Sequence, residues 1–163
     1  MWRVVEQHLA SRLVGRVTYG AIVGLAVVVA LEHHPEAPGV VAGTLVATAL
    51  AVGLAELYSE IVGVHARTHR FVARAELREA LQETGAVAAG VAFPTAFFVA
   101  AVLGWVSAAT AFELAKWSGL ALICFYGLCA ARLSGASWLS SLAQAVAVAA
   151  IGALLILFKA VVH

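Results

Sequence analysis

Five long apolar runs dominate the chain, at residues 14–31, 40–64, 86–106, 109–131 and 137–160, each set off from the next by a short polar interruption. A helix that crosses the hydrocarbon core needs about 20 mostly apolar residues. All five runs approach or exceed that length, which predicts an all-α fold: a polytopic membrane helix bundle with five transmembrane helices. The interruptions have turn chemistry, "EHHPEAPG" after the first run, "ETG" before the third and "LSGAS" before the fifth. Pro94 lies inside the third run and predicts a kink, which membrane helices tolerate. Arg16 lies in the short first run, where its long stem is expected to carry the guanidinium toward the interface.

Two stretches do not fit the spanning pattern. Within residues 1–13, Trp2, Val5, Leu9 and Leu13 share one side while Arg3, Glu6 and Arg12 lie elsewhere, which predicts an interfacial amphipathic helix. Residues 65–84, "HARTHRFVARAELREALQET", read as the second span continuing into the cytoplasm as a charged helical extension laced with local ion pairs. The whole of 1–163 is then one membrane domain.

Orientation follows from the basic residues. Arg3, Arg12, Arg16, Arg67, Arg70, Arg74, Arg78 and Arg132 fall on one side of a five-span chain, against only Lys116 and Lys159 on the other. The excess of Lys and Arg marks the cytoplasmic side, so the N-terminus is expected in the cytoplasm and the C-terminus outside, in the inner (plasma) membrane as a multi-pass protein.

Composition strengthens the membrane reading and removes several functions. The chain is 63% hydrophobic and 12% charged with a mean hydropathy of +0.98, more apolar surface than a water-soluble domain of 163 residues could hide. The net charge of +1 gives no field to attract nucleic acid. No aspartate or asparagine occurs, which rules out an Asp-centred catalytic triad. No nucleophile, base and orienting group can be assembled, so no enzyme activity and no catalytic residue is expected. Cys124 and Cys129 are five apart in one apolar run, on different faces and too distant for a disulfide if helical.

What remains are ionisable groups inside the bilayer, which cost about 2.5–3.5 kcal/mol each to insert and are therefore functional candidates. "AELYSEIVGVHARTH" (55–69) places Glu56 and Glu60 one turn apart. With the second span centred near Val52, Glu56 sits about 6 Å and Glu60 about 12 Å from the midplane at a rise of ~1.5 Å per residue. Ser59 falls on the same side, and His65 and His69 form a second i,i+4 pair below. Carboxylates, hydroxyls and imidazoles are cation ligands. Glu56, Ser59 and Glu60 are therefore candidates for an ion or proton path, and Glu56, Glu60, His65 and His69 for metal ligation. Tyr19, Thr44 and Thr48 are the expected neighbours of Glu56. The simpler reading has Glu60 paired with a nearby arginine and the histidines merely interfacial. At the outer interface Glu113 and Lys116 are expected to neutralise each other, with Trp105 and Trp117 as belt residues. Gly20-x-x-x-Gly24 and Gly39-x-x-x-Gly43 permit close helix contact.

The last third, "GLCAARLSGASWLSSLAQAVAVAAIGALL" (127–155), resembles the closing two helices of the vacuolar iron transporter family, with its short basic turn, Ser-rich start of span five and internal Ile-Gly. "AELYS" (55–59) resembles that family's Gly-Glu-Tyr-x-Ser, and "YGAIVG" (19–24) its span-one Gly-Ala-Asn-Asp-Gly; Val23 and Val52 stand where the family has an aspartate and a methionine. The resemblance implies a five-span dimeric transporter in which Glu56 and Ser59 match the family's glutamate and serine.

The resulting expectation is a small proton-coupled divalent cation transporter, a homodimer or small homo-oligomer, with the divalent metal ion as substrate and no resident cofactor. The alternative is a non-transporting structural or accessory membrane subunit whose basic cytoplasmic helix docks an anionic lipid or a protein partner.

Overall fold

The computed structural model describes residues 12–32, 36–69, 72–133 and 150. Among these residues the protein is all-helical, with five helices: α1 (Arg12–Leu31), α2 (Pro38–Thr68), α3 (Arg74–Ala92), α4 (Thr95–Val102) and α5 (Ala108–Leu133). The fifth apolar run, 137–160, and the N-terminal interfacial stretch up to residue 11 lie outside the described residues.

Local chemistry accounts for the helix boundaries. Pro38 opens α2 at a position where its missing N–H would have had no partner. At the other end His69 adopts a left-handed conformation, φ 51°, and its N–H closes on the His65 carbonyl at 2.9 Å. Short polar and imidazole residues tolerate that conformation better than branched ones. The chain restarts at Ala73, which is extended and donates its N–H to the Glu76 carboxylate at 2.9 Å. α5 is capped by the Ser107 hydroxyl, which accepts the Thr110 N–H at 3.1 Å. Gly104, at φ +77°, makes the turn before it.

Segment 65–84 is thus not one extension of the second helix. The left-handed His69 breaks it, and residues from Arg74 onward belong to α3, which runs back into the bundle.

Three helices, Leu13–Leu31, Pro38–Thr68 and Ala108–Cys129, are long and apolar enough to cross a membrane. α3 and α4, bent by 47° at Phe93–Pro94, make a fourth if taken as one broken span. The kink expected at Pro94 is present. The chain is a membrane protein built as a helical bundle.

α1 packs most extensively on α3, and the register is regular: Arg16 lies against Glu83, Gly20 against Val87 and Gly24 against Val91. Contacts that advance together along both helices mean that the two run parallel. The approach is close enough that a Cβ on Gly90 would sit 2.5 Å from the Val17 carbonyl oxygen, and one on Gly24 would sit 2.9 Å from that of Val91. Gly20-x-x-x-Gly24 is therefore used inside the chain. Gly39-x-x-x-Gly43 shows no such approach among the described residues: a Cβ on Gly43 would meet none of them within 4 Å. α2 fills the third side, with Gly53 against the Thr84 and Ala88 side chains.

The apolar core lies toward the other end, where Val28, Val41, Leu45, Phe98, Ala111, Phe112 and Ala115 are buried together. Phe98 and Phe112 meet edge to face at 4.8 Å and join α4 to α5. A smaller group, Ala21, Leu25, Val29 and Ile123, joins α1 to α5. Such burial stabilises by about 1.5–3 kcal/mol per large side chain against water. Between helices in lipid the close fit matters more than the area.

Candidate functional site

Each end of the bundle carries a knot of charge. At one end Lys116 of α5 donates to Glu32, at the end of α1, at 2.6 Å and to Glu113 at 2.7 Å; Trp117 Nε1 also donates to Glu113, at 3.0 Å. The Glu113–Lys116 pair expected from the sequence exists, and the structure adds Glu32 to it. Trp105 and Trp117 are exposed there, at 77% and 67%, as interfacial tryptophans are.

The other knot is the candidate site. Arg16 lies between two carboxylates from different helices. Its Nη1 donates to Glu56 Oε1, and its Nε and Nη2 donate to Glu83 Oε2 at 3.0 and 2.7 Å. The three side chains are 32%, 24% and 11% exposed for Arg16, Glu56 and Glu83. Glu83 is the buried charged residue among the described residues. Arg16 uses one oxygen of each carboxylate, so the remaining oxygens stay outside its grip. From Glu32 to Arg16, α1 rises about 24 Å at ~1.5 Å per residue, against a hydrocarbon core of ~30 Å. With Glu32 at one boundary, Arg16 lies a few ångström inside the other.

Arg16 therefore does not snorkel outward as its position predicted. Sideways, on α2 and α3, it finds two charged partners that water at the interface would have to replace. Tyr19, Thr44 and Thr48 are likewise not the partners of Glu56. Thr44 and Thr48 hydroxyls donate to the Val40 and Thr44 carbonyls, at 2.9 and 2.8 Å, and Tyr19 is half exposed.

Beyond Glu83 the space between α2 and α3 opens into a cleft of about 200 Å³, whose ionisable lining is Glu60, Glu76, Glu79, Glu83 and Arg67. Arg67 Nη2 lies 3.7 Å from Glu60 Oε1 with both side chains substantially exposed, a pair worth ~0–1 kcal/mol. Carboxylates predominate in this lining, and with Glu83 already held by Arg16 and Glu60 near Arg67 the exposed Glu79 adds negative charge at the cleft mouth, which favours cations.

The structure thus brings Glu56 and Glu60 to the side of α2 that faces α3, and leaves Ser59 exposed. His65 and His69 are exposed near the end of α2, and His65 lines a neighbouring, largely apolar cleft. Among the described residues no three of His, Cys, Asp and Glu gather closely enough to hold a metal ion. Cys124 and Cys129 are free thiols.

Arg16 and Glu83 are the members of the site that were not anticipated. A signal for them exists. Arg16-x-x-x-Gly20-x-x-x-Gly24 and Glu83-x-x-x-Val87-x-x-x-Val91 share one spacing, so any packing that used the glycines on these residues would pair the charges too. No family model, no curated protein and no solved structure matches the chain.

Proposed function

We propose that the chain is a small proton-coupled divalent cation transporter, related to the vacuolar iron transporters that its sequence resembles, and that Glu56 and Glu83 are the groups through which the cation passes. In this reading the protein spans the inner (plasma) membrane five times, N-terminus in the cytoplasm and C-terminus outside, and works as a homodimer or small homo-oligomer. One observation carries it: two carboxylates from different helices share a single guanidinium at one end of the bundle, and the more buried of them opens onto an acidic cleft.

Charge arithmetic supports the reading. Two carboxylates and one guanidinium sum to −1; one proton brings the knot to zero, and a divalent cation to +1. Arg16 acts as a tethered counter-cation that holds the carboxylates together when no ion is present. An arriving cation takes the oxygens that Arg16 leaves open and loosens its hold. A proton on either carboxyl competes for the same oxygens, which couples the two flows. Glu60 and Glu79 would gather cations from the cytoplasmic side.

A second reading has a specific observation of its own. Arg16 ties α1, α2 and α3 together at one point, as a packing device in a non-transporting structural or accessory subunit would. The two separate in liposomes loaded with a divalent-sensitive dye. Transport requires that protein-dependent influx be lost in Glu56→Gln and in Glu83→Gln while each variant stays folded. A packing role predicts no influx in the wild type and altered melting in the variants, independent of added cation.

A further inference from the structure

The first two turns of α3 separate their charges onto opposite faces. Glu76, Glu79 and Glu83 look into the acidic cleft. On the opposite side, at i, i+3, i+4 and i+7, stand Arg74, Leu77, Arg78 and Leu81, all exposed. Leu77 also belongs to a second, mostly apolar cleft of about 490 Å³, lined with Ile61, Val62, His65 and Val72. Large apolar side chains are open to the surroundings here, Leu81 at 51%, Val62 at 45% and Leu77 at 38%.

Neither arginine has an ion-pair partner among the described residues. Two like charges one turn apart destabilise a helix by ~0.2–0.5 kcal/mol, and Arg74 opens the helix, where a cation works against its dipole. Helix stability therefore does not explain their placement. Two guanidiniums one turn apart do suit a phosphate, which each fork can grip through paired N–H groups.

Depth decides which phosphate. Glu83 sits with Arg16 a few ångström inside the hydrocarbon boundary. Arg78 and Arg74 lie about 7.5 and 13.5 Å farther along the axis at ~1.5 Å per residue, across a headgroup layer about 5–8 Å thick. The arginines are thus at and just beyond the phosphate level, while Leu81, about 3 Å from Glu83 along the axis, lies on its acyl side and the apolar cleft is level with the arginines. A soluble phosphate would use the arginines and leave Leu81 uncovered. A protein segment would have no reason to be matched to this depth.

We propose that this face of α3 binds one anionic glycerophospholipid of the surrounding bilayer, its phosphate between Arg74 and Arg78 and an acyl chain along Leu81. The proposal does not depend on transport, since it uses none of the residues of the Arg16 knot. A lipid seated here braces the start of α3, whose Glu76 and Glu79 line the acidic cleft.

The test is native mass spectrometry of the full-length protein released from bilayer discs that contain equal phosphatidylcholine and phosphatidylglycerol. The wild type is expected to retain phosphatidylglycerol preferentially, and Arg74→Gln/Arg78→Gln to lose that preference, by roughly five-fold for each arginine, the equivalent of about 1 kcal/mol per basic residue at a membrane surface. Arg67→Gln, which removes a guanidinium facing the other cleft, is expected to keep it. No preference in the wild type, or one unchanged in the double variant, overturns the proposal. So does retention that inorganic phosphate competes away, because the ligand would then be the free anion. If the double variant does not fold, Arg78→Gln alone decides, with about a five-fold reduction expected and no reduction overturning it.

Discussion

Arg16 and Glu83 are joined by two hydrogen bonds that converge on one carboxylate oxygen, at 3.0 and 2.7 Å, across 67 residues of sequence. The guanidinium is spread between this oxygen and one of Glu56, so three helices depend on a single side chain for charge balance.

Removing that side chain should therefore cost more than removing all three members. Arg16→Leu leaves two carboxylates facing each other in a partly buried place, an expected loss of about 2–4 kcal/mol, just under the ~3–5 kcal/mol of a sealed pair. Arg16→Leu/Glu56→Leu/Glu83→Leu removes the imbalance and should melt closer to the wild type. Thermal unfolding in detergent compares them; a triple variant weaker than the single one would contradict the assignment.

The same imbalance gives a cation-dependent prediction. If a divalent cation can occupy the open oxygens, adding it should raise the melting temperature of Arg16→Leu more than that of the wild type. It should have no effect on Arg16→Leu/Glu56→Gln/Glu83→Gln, where the shape is kept and the charge is gone. Equal shifts in all three would place the cation elsewhere.

The helix approach predicts a contrast between two glycines. Gly20→Ala drives a methyl into the Val87 carbonyl, which is backbone and cannot step aside, and should destabilise by at least ~1–3 kcal/mol. Gly43→Ala meets nothing within 4 Å among the described residues and should be neutral, or stabilising by up to ~1 kcal/mol through lost backbone freedom. Melting of the two variants side by side reads both signs.

Membrane topology gives a fourth expectation. A reporter placed between α2 and α3, at residues 70–72, should be cytoplasmic, and one fused after His163 should be outside. Thr84 does not suit an insertion, because its methyl packs 3.4 Å from where a Cβ on Gly53 would lie. Finding both reporters on one side would break the five-span arrangement.

The helices were legible in the sequence wherever an apolar run was long enough to exclude water, which covered the cores of α1, α2 and α5 and the bend at Pro94. The boundary after Thr68 was not. His65, Arg67, Glu76 and Glu79 continue a plausible solvated helix, and nothing in the residue types announces a left-handed His69. That one misplaced break moved Glu83 from the bundle into the solvent and so hid the partner of Arg16. Glu56 was legible because a carboxylate in lipid demands an explanation. Its partner was not, because a guanidinium near a helix end can ordinarily reach water unaided.

The parallel pairing of α1 with α3 also sets a timetable for how the protein is made. Arg16 enters the membrane with the first helix, but Glu83 leaves the ribosome 67 residues later, about 3–13 s at ordinary synthesis rates of ~5–20 residues per second. Until Glu56 follows, 40 residues behind Arg16, the first helix carries an uncompensated arginine near its end, at a cost below the ~2.5–3.5 kcal/mol of a charge at mid-bilayer. Glu56, on the intervening helix, can then hold the arginine until Glu83 arrives. The second carboxylate then arrives at a site already half formed. The newborn chain thus passes its charge from one partner to two, and α3 is the helix whose arrival completes the hand-over.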